Sequence, residues 1–462
     1  MKEFLDQLKA TSRIVTVAET LSPDLEIASI LLSKQSRPIL FEKVEGSSLR
    51  VAGNLYGSRE TLSLGLGARP DTLADTLRES LEHPSDSTGT SFGFRESDWD
   101  VNQPADLTKL PILKHFEKEA GRYLTAGVVV AKFPKSDMEN LSVHRMLVLT
   151  KDELSVRIVP RHLNQIMKET TDGKLKVSVV IGPPPAVFAS AALQTQFGMS
   201  EYRIANKLMG GKLRLIASQS TDLPVPEDSE VILEGTLYSD RISPEGPFVD
   251  LTGTYDEVRN QPVIKLERMH CRRSSVYQAI VASSSEHSLF MGLPQELKIW
   301  DVLSKSIPKI RGINLTPASN GYFHCIASIG KSNDGDGKTA ILNCFAASHP
   351  LKLVIAVDLD VDPFDLAQVE WALATRFQAD KGILVIKGAR GSSLDPSSGK
   401  LAVTSKLGLD ATLQVNTDFR KFDRATAKLT ERASLVLASL GVEGLSSKSS
   451  EGFDGTGTPD SM

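Results

Sequence analysis

Apolar and polar positions change period along this chain, and the changes mark out its parts. Phe4, Leu5 and Leu8 recur at helical spacing, and Pro38-Ile39-Leu40-Phe41 reads as a strand. Gly53-Asn54-Leu55-Tyr56-Gly57 is turn-rich. Between 83 and 107 apolar residues thin out and Ser, Thr, Gly, Pro and Asp take over, which predicts a linker or long surface loop. Strand-like runs then follow closely at Ala126–Val130, Arg145–Leu149, Leu154–Val159 and Val177–Ile181, with Val231–Gly235 and Phe248–Leu251 further on. Such spacing predicts a β-barrel or a sandwich. Pro183-Pro184-Pro185 stops the fourth run, and helices are predicted at Ala186–Leu193 and Glu201–Leu208.

Beyond 295 strand and helix alternate. Leu297, Ile299, Trp300, Val302 and Leu303 predict a connecting helix over 296–312. Tyr322–Ile329 and Gly382–Ile386 read as strands, and the apolar run Leu353–Val357 as a buried parallel strand. Asp365–Ala374 and Leu429–Leu440 read as helices, whereas Gly337–Ala346 is ambiguous. From 446 the chain is mostly Ser, Gly, Asp and Thr, so a disordered tail is expected. The resulting layout is a first domain over 1–109, a β-rich middle domain over 110–295, the helix 296–312, an α/β domain over 313–445 and the tail 446–462.

Composition narrows the function classes without choosing one. The chain has 462 residues, 53 Lys+Arg against 57 Asp+Glu, and a formal net charge of −4. That balance argues against a generic polyanion binder, so no nucleic-acid partner is expected. No apolar stretch approaches the roughly 20 residues that span a bilayer, and the start lacks the basic-then-apolar pattern of a signal peptide. Cys271, Cys325 and Cys344 are too few and too widely spaced for a disulfide scaffold or a CxxC zinc site. A cytoplasmic location is therefore expected.

Three motifs invite chemistry and fail on spacing. Gly337-Lys338-Thr339 lacks the leading glycine of a phosphate loop, because Ser332 stands there, so a hydrophilic loop is expected. Asp358, Asp360 and Asp362 begin like a calcium loop, but Pro363 and Val369 occupy the positions that need Gly and Glu. Gly65-Leu66-Gly67 lacks the third glycine of a dinucleotide site.

Five polar patches stand out instead: Asn140–Arg145, Pro160-Arg161-His162, Gly198–Glu201, Pro244–Asp250 and Ser405–Thr412. With Val231–Gly235, Thr252-Gly253-Thr254-Tyr255, Leu110–Gly127, Val354–Arg376 and Gly391–Pro396, they resemble the UbiD family of prenylated-FMN-dependent decarboxylases. Asn140 followed five residues later by Arg145 matches that family's N-x4-R motif, and the resemblance runs from about residue 10 to about 440. It implies an α/β (α+β) fold: an N-terminal α/β domain, a central split β-barrel that binds the flavin, and a C-terminal α/β domain joined by a helix.

The resemblance also implies a site. Asn140, His162 and Glu201 would hold Mn²⁺ (or Mg²⁺) against the cofactor phosphate, a donor set suited to such ions. A K⁺ ion would sit nearby on backbone carbonyls. Arg161 and Lys406 would contact the cofactor with Asn140, Arg145, His162 and Glu201. Arg145, Glu245 and Asp250 would be catalytic, with Asp250 moving the proton, Glu245 serving the arginine, and Arg145 also able to grip the substrate carboxylate in bidentate fashion.

The implied reaction is the non-oxidative, reversible decarboxylation of an α,β-unsaturated or aromatic acid through a covalent adduct with prenylated FMN. A flavin prenyltransferase would supply the cofactor, and a homodimer or larger homo-oligomer is expected. Arg161, where the family often has Gln, and Val249, where Gly is common, are similar to a compact archaeal-type branch. That branch includes the decarboxylase of trans-anhydromevalonate 5-phosphate; the better-known branch acts on 4-hydroxybenzoate derivatives. A small non-lipid acid is favoured. The competing reading is a catalytically silent flavin-binding or assembly protein of the same fold, and the intact Arg145, Glu245 and Asp250 argue against it.

Overall fold

In the computed structural model, six antiparallel strands close into a barrel. The ring runs Val231–Glu245, Lys174–Ile181, Tyr123–Lys132, Glu139–Thr150, Glu153–Val156 and Arg259–Arg272, which pairs back onto Val231–Glu245. The structure describes residues 1–85, 98–102, 104–134, 136, 138–399, 401–425 and 430–439.

Alternation explains the barrel's apolar runs. Val129 and Ala131 join one core with Met146, Val156, Val179, Leu233 and Ile264. Val128 and Val130, one residue out of phase, join a second core with Leu141, Val180, Ile232 and the helix Pro185–Ala192. Both faces of this strand are covered, so it reads as an unbroken hydrophobic stretch.

Around the barrel's start lies a four-stranded sheet in the order Val15–Leu21, Ile39–Val44, Arg50–Gly53, Val276–Ala279. Its last strand comes from far down the chain and runs parallel to Arg50–Gly53. The helices Lys2–Ala10, Glu26–Ser33, Arg59–Leu66 and Leu73–Glu82 complete this part. The third part is a five-stranded sheet in the order Lys309–Leu315, His324–Gly330, Leu353–Asp358, Val403–Asp410, Ile383–Arg390. Its three inner strands are parallel, as the apolar run Leu353–Val357 predicts. These parts lie within one unit, Met1–Val415; residues from Asn416 form a separate small unit containing Phe419–Phe422 and the helix Glu431–Ser439.

Four sequence expectations need correction. The connecting helix is Ser285–Leu303, not 296–312, and the strand Lys309–Leu315 follows it. Ser284 caps it by accepting from His287 N, and Pro294, tolerated inside, hides the first half of its periodicity. The expected loop over 83–107 contains the strand Trp99–Asn102, which pairs with Arg259–Arg272; the buried Trp99 ring carries the Arg272 guanidinium on its face. Residues 86–97, like the expected tail 446–462, fall outside the described residues. Gly337-Lys338-Thr339 opens the helix Asp336–Ala347 instead of forming a loop. A Cβ on Gly337 would come within 2.3 Å of the Asp410 carboxylate, so an acidic side chain already fills the space above that glycine. Finally, the strand Val276–Ala279 lies inside the expected middle domain yet belongs to the first sheet.

The acidic run after Leu353–Asp358 has a structural role. Arg376, with a fully buried side chain, donates to Asp358 at 2.9 Å and Asp360 at 2.8 Å.

Candidate active site

The barrel strand Val231–Glu245 ends at Glu245 because the next residue turns the chain. Gly246 has φ +105°, and a Cβ there would meet Glu257 O at 3.1 Å. The short strand Phe248–Val249 then pairs with Tyr255–Asp256, placing Phe248 opposite Asp256. Asp250 N donates to Thr254 O at 3.0 Å and closes the tip. One small hairpin thus presents Glu245 at its root, Asp250 at its tip and Asp256 on its return.

Arg145, from the barrel strand Glu139–Thr150, joins all three. Its Nε and Nη2 donate to the two Glu245 oxygens at 3.0 Å each. Nη1 donates to Asp250 Oδ2 at 2.5 Å and Nη2 to Asp256 Oδ2 at 3.0 Å. The guanidinium also lies 4.5 Å from the Phe248 ring centroid. Burial opposes its charge, but the three carboxylates outweigh burial and push its pKa up. Side-chain exposure separates the carboxylates: 0% for Glu245, 9% for Asp256 and 16% for Asp250. Asp250 is the one a ligand reaches most easily, and its Oδ1 is held by Leu251 N at 2.6 Å.

The sequence reading missed Asp256. Burial works against its charge, but hydrogen bonds from Arg259 and Arg145 prevail and hold its pKa below the usual carboxylate range. Tyr123 and His287 were also missed. Burial, then the Glu245 charge, push the Tyr123 hydroxyl up. Burial pulls His287 down, with Asp250 and Arg145 both acting on it; its Nδ1 accepts from Ser283 N at 3.1 Å.

The bidentate substrate grip expected of Arg145 does not fit. Four of its five N–H groups are already engaged by Glu245, Asp250 and Asp256. The one left on Nη1 cannot form a fork with a further carboxylate.

Of the three expected metal ligands, the structure joins two directly. Glu201 opens the helix Glu201–Leu208 and is buried; it accepts from Leu141 N at 2.7 Å, Thr195 Oγ1 at 2.7 Å and Asn140 Nδ2 at 3.3 Å. Burial raises its pKa to about 7, outweighing those hydrogen bonds. Asn140 Oδ1 is buried and has no hydrogen-bond partner. An orphaned amide oxygen beside a buried carboxylate fits a hard divalent cation. His162 opens the helix His162–Glu169, with its ring edge-on to Phe197 at 5.4 Å and outside the Asn140–Glu201 hydrogen bonds. Burial and then Arg161 lower its pKa, favouring the neutral form a metal needs.

Lys406 is buried on the strand Val403–Asp410 and donates to His349 O and Leu351 O, both at 2.7 Å. Burial pulls its pKa down to about 8. Among the described residues no carboxylate pairs with it, so its third N–H remains for an anion. Burial lowers the pKa of His349, and so do the positive charges of Arg390, Lys406, Lys298 and Arg161 gathered around it. Burial raises the pKa of Tyr322, whose hydroxyl also feels the charges of Arg161 and Asp250.

Three consecutive family models of the 3-octaprenyl-4-hydroxybenzoate carboxy-lyase match this chain: the N-terminal domain over 5–81, the Rift-related domain over 94–285 and the C-terminal domain over 288–411. The chain belongs to the UbiD family. It is a carboxy-lyase with that family's mixed α/β fold. Among UbiD-family relatives, the anhydromevalonate phosphate decarboxylase of Methanothermobacter thermautotrophicus is 37% identical over 430 residues, covering 92% of this chain and 99% of its own. That of Archaeoglobus fulgidus is 39% identical over 393 residues, covering 84% and 88%. The UbiD-class enzyme HmfF of Pelotomaculum thermopropionicum, in complex with FMN, superposes with a TM-score of 0.90 at 30% identity, over 94% of this chain and 99% of that one. An evolved dimeric form of HmfF in complex with prFMN gives 0.86 at 28% identity, over 94% and 98%.

Proposed function

We propose that this carboxy-lyase removes CO2 from a small α,β-unsaturated acid bearing a phosphate, using prenylated FMN. The observation that carries the reading is the buried cluster in which one arginine holds three carboxylates and leaves one of them reachable. When bound, prenylated FMN supplies an electron sink for the pair released as CO2 departs, chemistry no side chain provides.

The chain's own residues do the rest. Glu245, fully buried with both oxygens on Arg145, fixes the guanidinium. Arg145 and Leu251 N orient Asp250, one to each oxygen. Asp250, the most exposed of the three, delivers a proton to the carbon that has lost its carboxylate. Asp256, paired with both Arg145 and Arg259, shares the arginine charge with Glu245.

Asn140, Glu201 and His162 would hold Mn²⁺ or Mg²⁺, which neutralises the flavin phosphate, with Arg161 and Lys406 reaching the same phosphate and a K⁺ ion beside it. The relatives named for anhydromevalonate phosphate support the phosphorylated acid over a 4-hydroxybenzoate derivative. A flavin prenyltransferase as cofactor supplier and a cytoplasmic location complete the reading; the three free, buried thiols accord with a reducing compartment. Homodimer or larger assembly is supported by exposed apolar Ile383 and Val385 on the edge strand Ile383–Arg390 and Val403 on its neighbour Val403–Asp410.

The test is coexpression with a flavin prenyltransferase, followed by the flavin absorbance spectrum and CO2 release from a panel of phosphorylated, unphosphorylated and aromatic acids. Turnover confined to aromatic acids contradicts the substrate. Flavin uptake without turnover of any acid favours a silent flavin-binding protein.

A further inference from the structure

We propose that Arg157 binds the non-reacting anionic end of the substrate, a phosphate monoester. The inference rests on the phosphorylated-acid reading above and names the residue that would enforce it.

Arg157 lies directly beside Arg145. Its N–H donates to Arg145 O at 3.1 Å, extending by one pair the register in which Met146 faces Val156. Residues directly opposed in an antiparallel pair project to the same face, and like charges there destabilise each other. Two guanidinium groups therefore share the face that carries the three carboxylates.

Those carboxylates are already committed. Glu245 gives both oxygens to Arg145, Asp250 is shared by Arg145 and Leu251 N, and Asp256 by Arg145 and Arg259. Among the described residues, Arg157 has no ion-pair partner and its guanidinium donates no hydrogen bond. The group is partly buried, and the repulsion it feels from Arg145 and Arg259 is only partly offset by Asp256 and Glu245. A guanidinium withdrawn from water and left unpaired is costly. An arriving anion removes that cost, and the planar fork of arginine suits a phosphate.

The backbone holds the residue ready. Arg157 O accepts from His144 Nδ1 at 2.9 Å, and the next residue, Ile158, donates its N–H to Gln261 Oε1 at 2.9 Å. The reacting carboxylate is the poorer occupant. Its charge leaves with the electron pair, so a cation gripping it stabilises the starting acid more than the transition state. A phosphate keeps its charge throughout.

The experiment uses holoenzyme coexpressed with a flavin prenyltransferase: wild type, Arg157→Gln and Arg157→Lys. Each is assayed with trans-anhydromevalonate 5-phosphate and with the same acid lacking the phosphate. Losing a charge-assisted pair to phosphate lowers the ratio of kcat/KM, phosphorylated over unphosphorylated, by roughly 10- to 100-fold in Arg157→Gln, mainly through KM. Arg157→Lys recovers part of the ratio. Calorimetric binding of the saturated, unreactive phosphorylated acid weakens by the same factor. Equal losses on both substrates, or an unchanged ratio with unchanged binding, overturn the proposal. A wild-type enzyme that turns over only unphosphorylated acids overturns the functional reading itself, a result visible before any variant is made.

Discussion

Replacing Arg145 by Met tests whether the cluster is held by charge. The substitution keeps most of the side-chain volume and removes the cation. Glu245 then loses two hydrogen bonds of 3.0 Å in a site where it has no exposure. Asp250 loses its 2.5 Å bond, while Asp256 keeps Arg259. Removing one partner of a buried ion pair costs about 3–5 kcal/mol, because the other charge is left uncompensated. Glu245 alone accounts for a loss of that size, with Asp250 adding less because it is partly solvated. The expected destabilisation at pH 7 is therefore about 3–5 kcal/mol in urea unfolding. Adding Glu245→Gln to Arg145→Met removes the orphaned charge and recovers part of the loss, giving a coupling energy of about 2 kcal/mol in the double-mutant cycle. A loss below about 1 kcal/mol, or a double mutant no more stable than Arg145→Met, refutes the account of the cluster as a charge-balanced unit.

The remaining predictions concern the proposed ligands and one distant carboxylate. Asn140→Ala removes the orphaned amide oxygen and lowers Mn²⁺ affinity by at least about 10-fold in calorimetry, while the melting temperature stays close to wild type. FMN affinity falls as pH rises through about 8, where free Lys406 loses its proton, and Lys406→Met binds FMN more weakly with that pH dependence gone; fluorescence titration reads both. Glu286 is buried and accepts from Tyr56 N at 2.9 Å, and burial raises its pKa from 4.5 to about 8. A raised folded-state pKa means its contribution is fully present below the unfolded value and is lost as pH rises through about 8. Glu286→Gln therefore melts higher than wild type at pH 8–9, and the difference closes toward pH 4.5.

Much of the barrel was legible because its strands announce themselves locally. The run Val128–Val130 is apolar throughout because successive residues enter two different cores. Whether those strands form a sandwich or a barrel was not legible in their pattern; the family resemblance alone implied the barrel. Closure depends on Val231–Glu245 pairing with both Lys174–Ile181 and Arg259–Arg272, and such long-range pairing leaves no local signature. The connecting helix was misplaced for a local reason: its first turns carry Ser285, Glu286 and His287, and Pro294 interrupts the pattern.

The site divides in the same way. Asn140, Arg145, Glu201, Glu245 and Asp250 carry motif-like neighbours and were named through their resemblance to a family. Asp256 sits in a two-residue strand with no apolar period, and only its hairpin register brings it to Arg145. Its one sequence signal was position, six residues beyond Asp250 across a Thr-Gly-Thr turn. Arg157 was hidden because a single arginine at a strand end is ordinary; its weight comes from the neighbour opposite.

The most direct test of the account is single-turnover decarboxylation of the phosphorylated unsaturated acid in D2O by wild-type and Asp250→Asn holoenzymes with matched flavin spectra. The account predicts that wild type releases CO2 and places one deuterium on the carbon that bore the carboxylate, and that Asp250→Asn, still loaded with flavin, is slower by at least about 100-fold. Equal rates and equal labelling in the two proteins would contradict it.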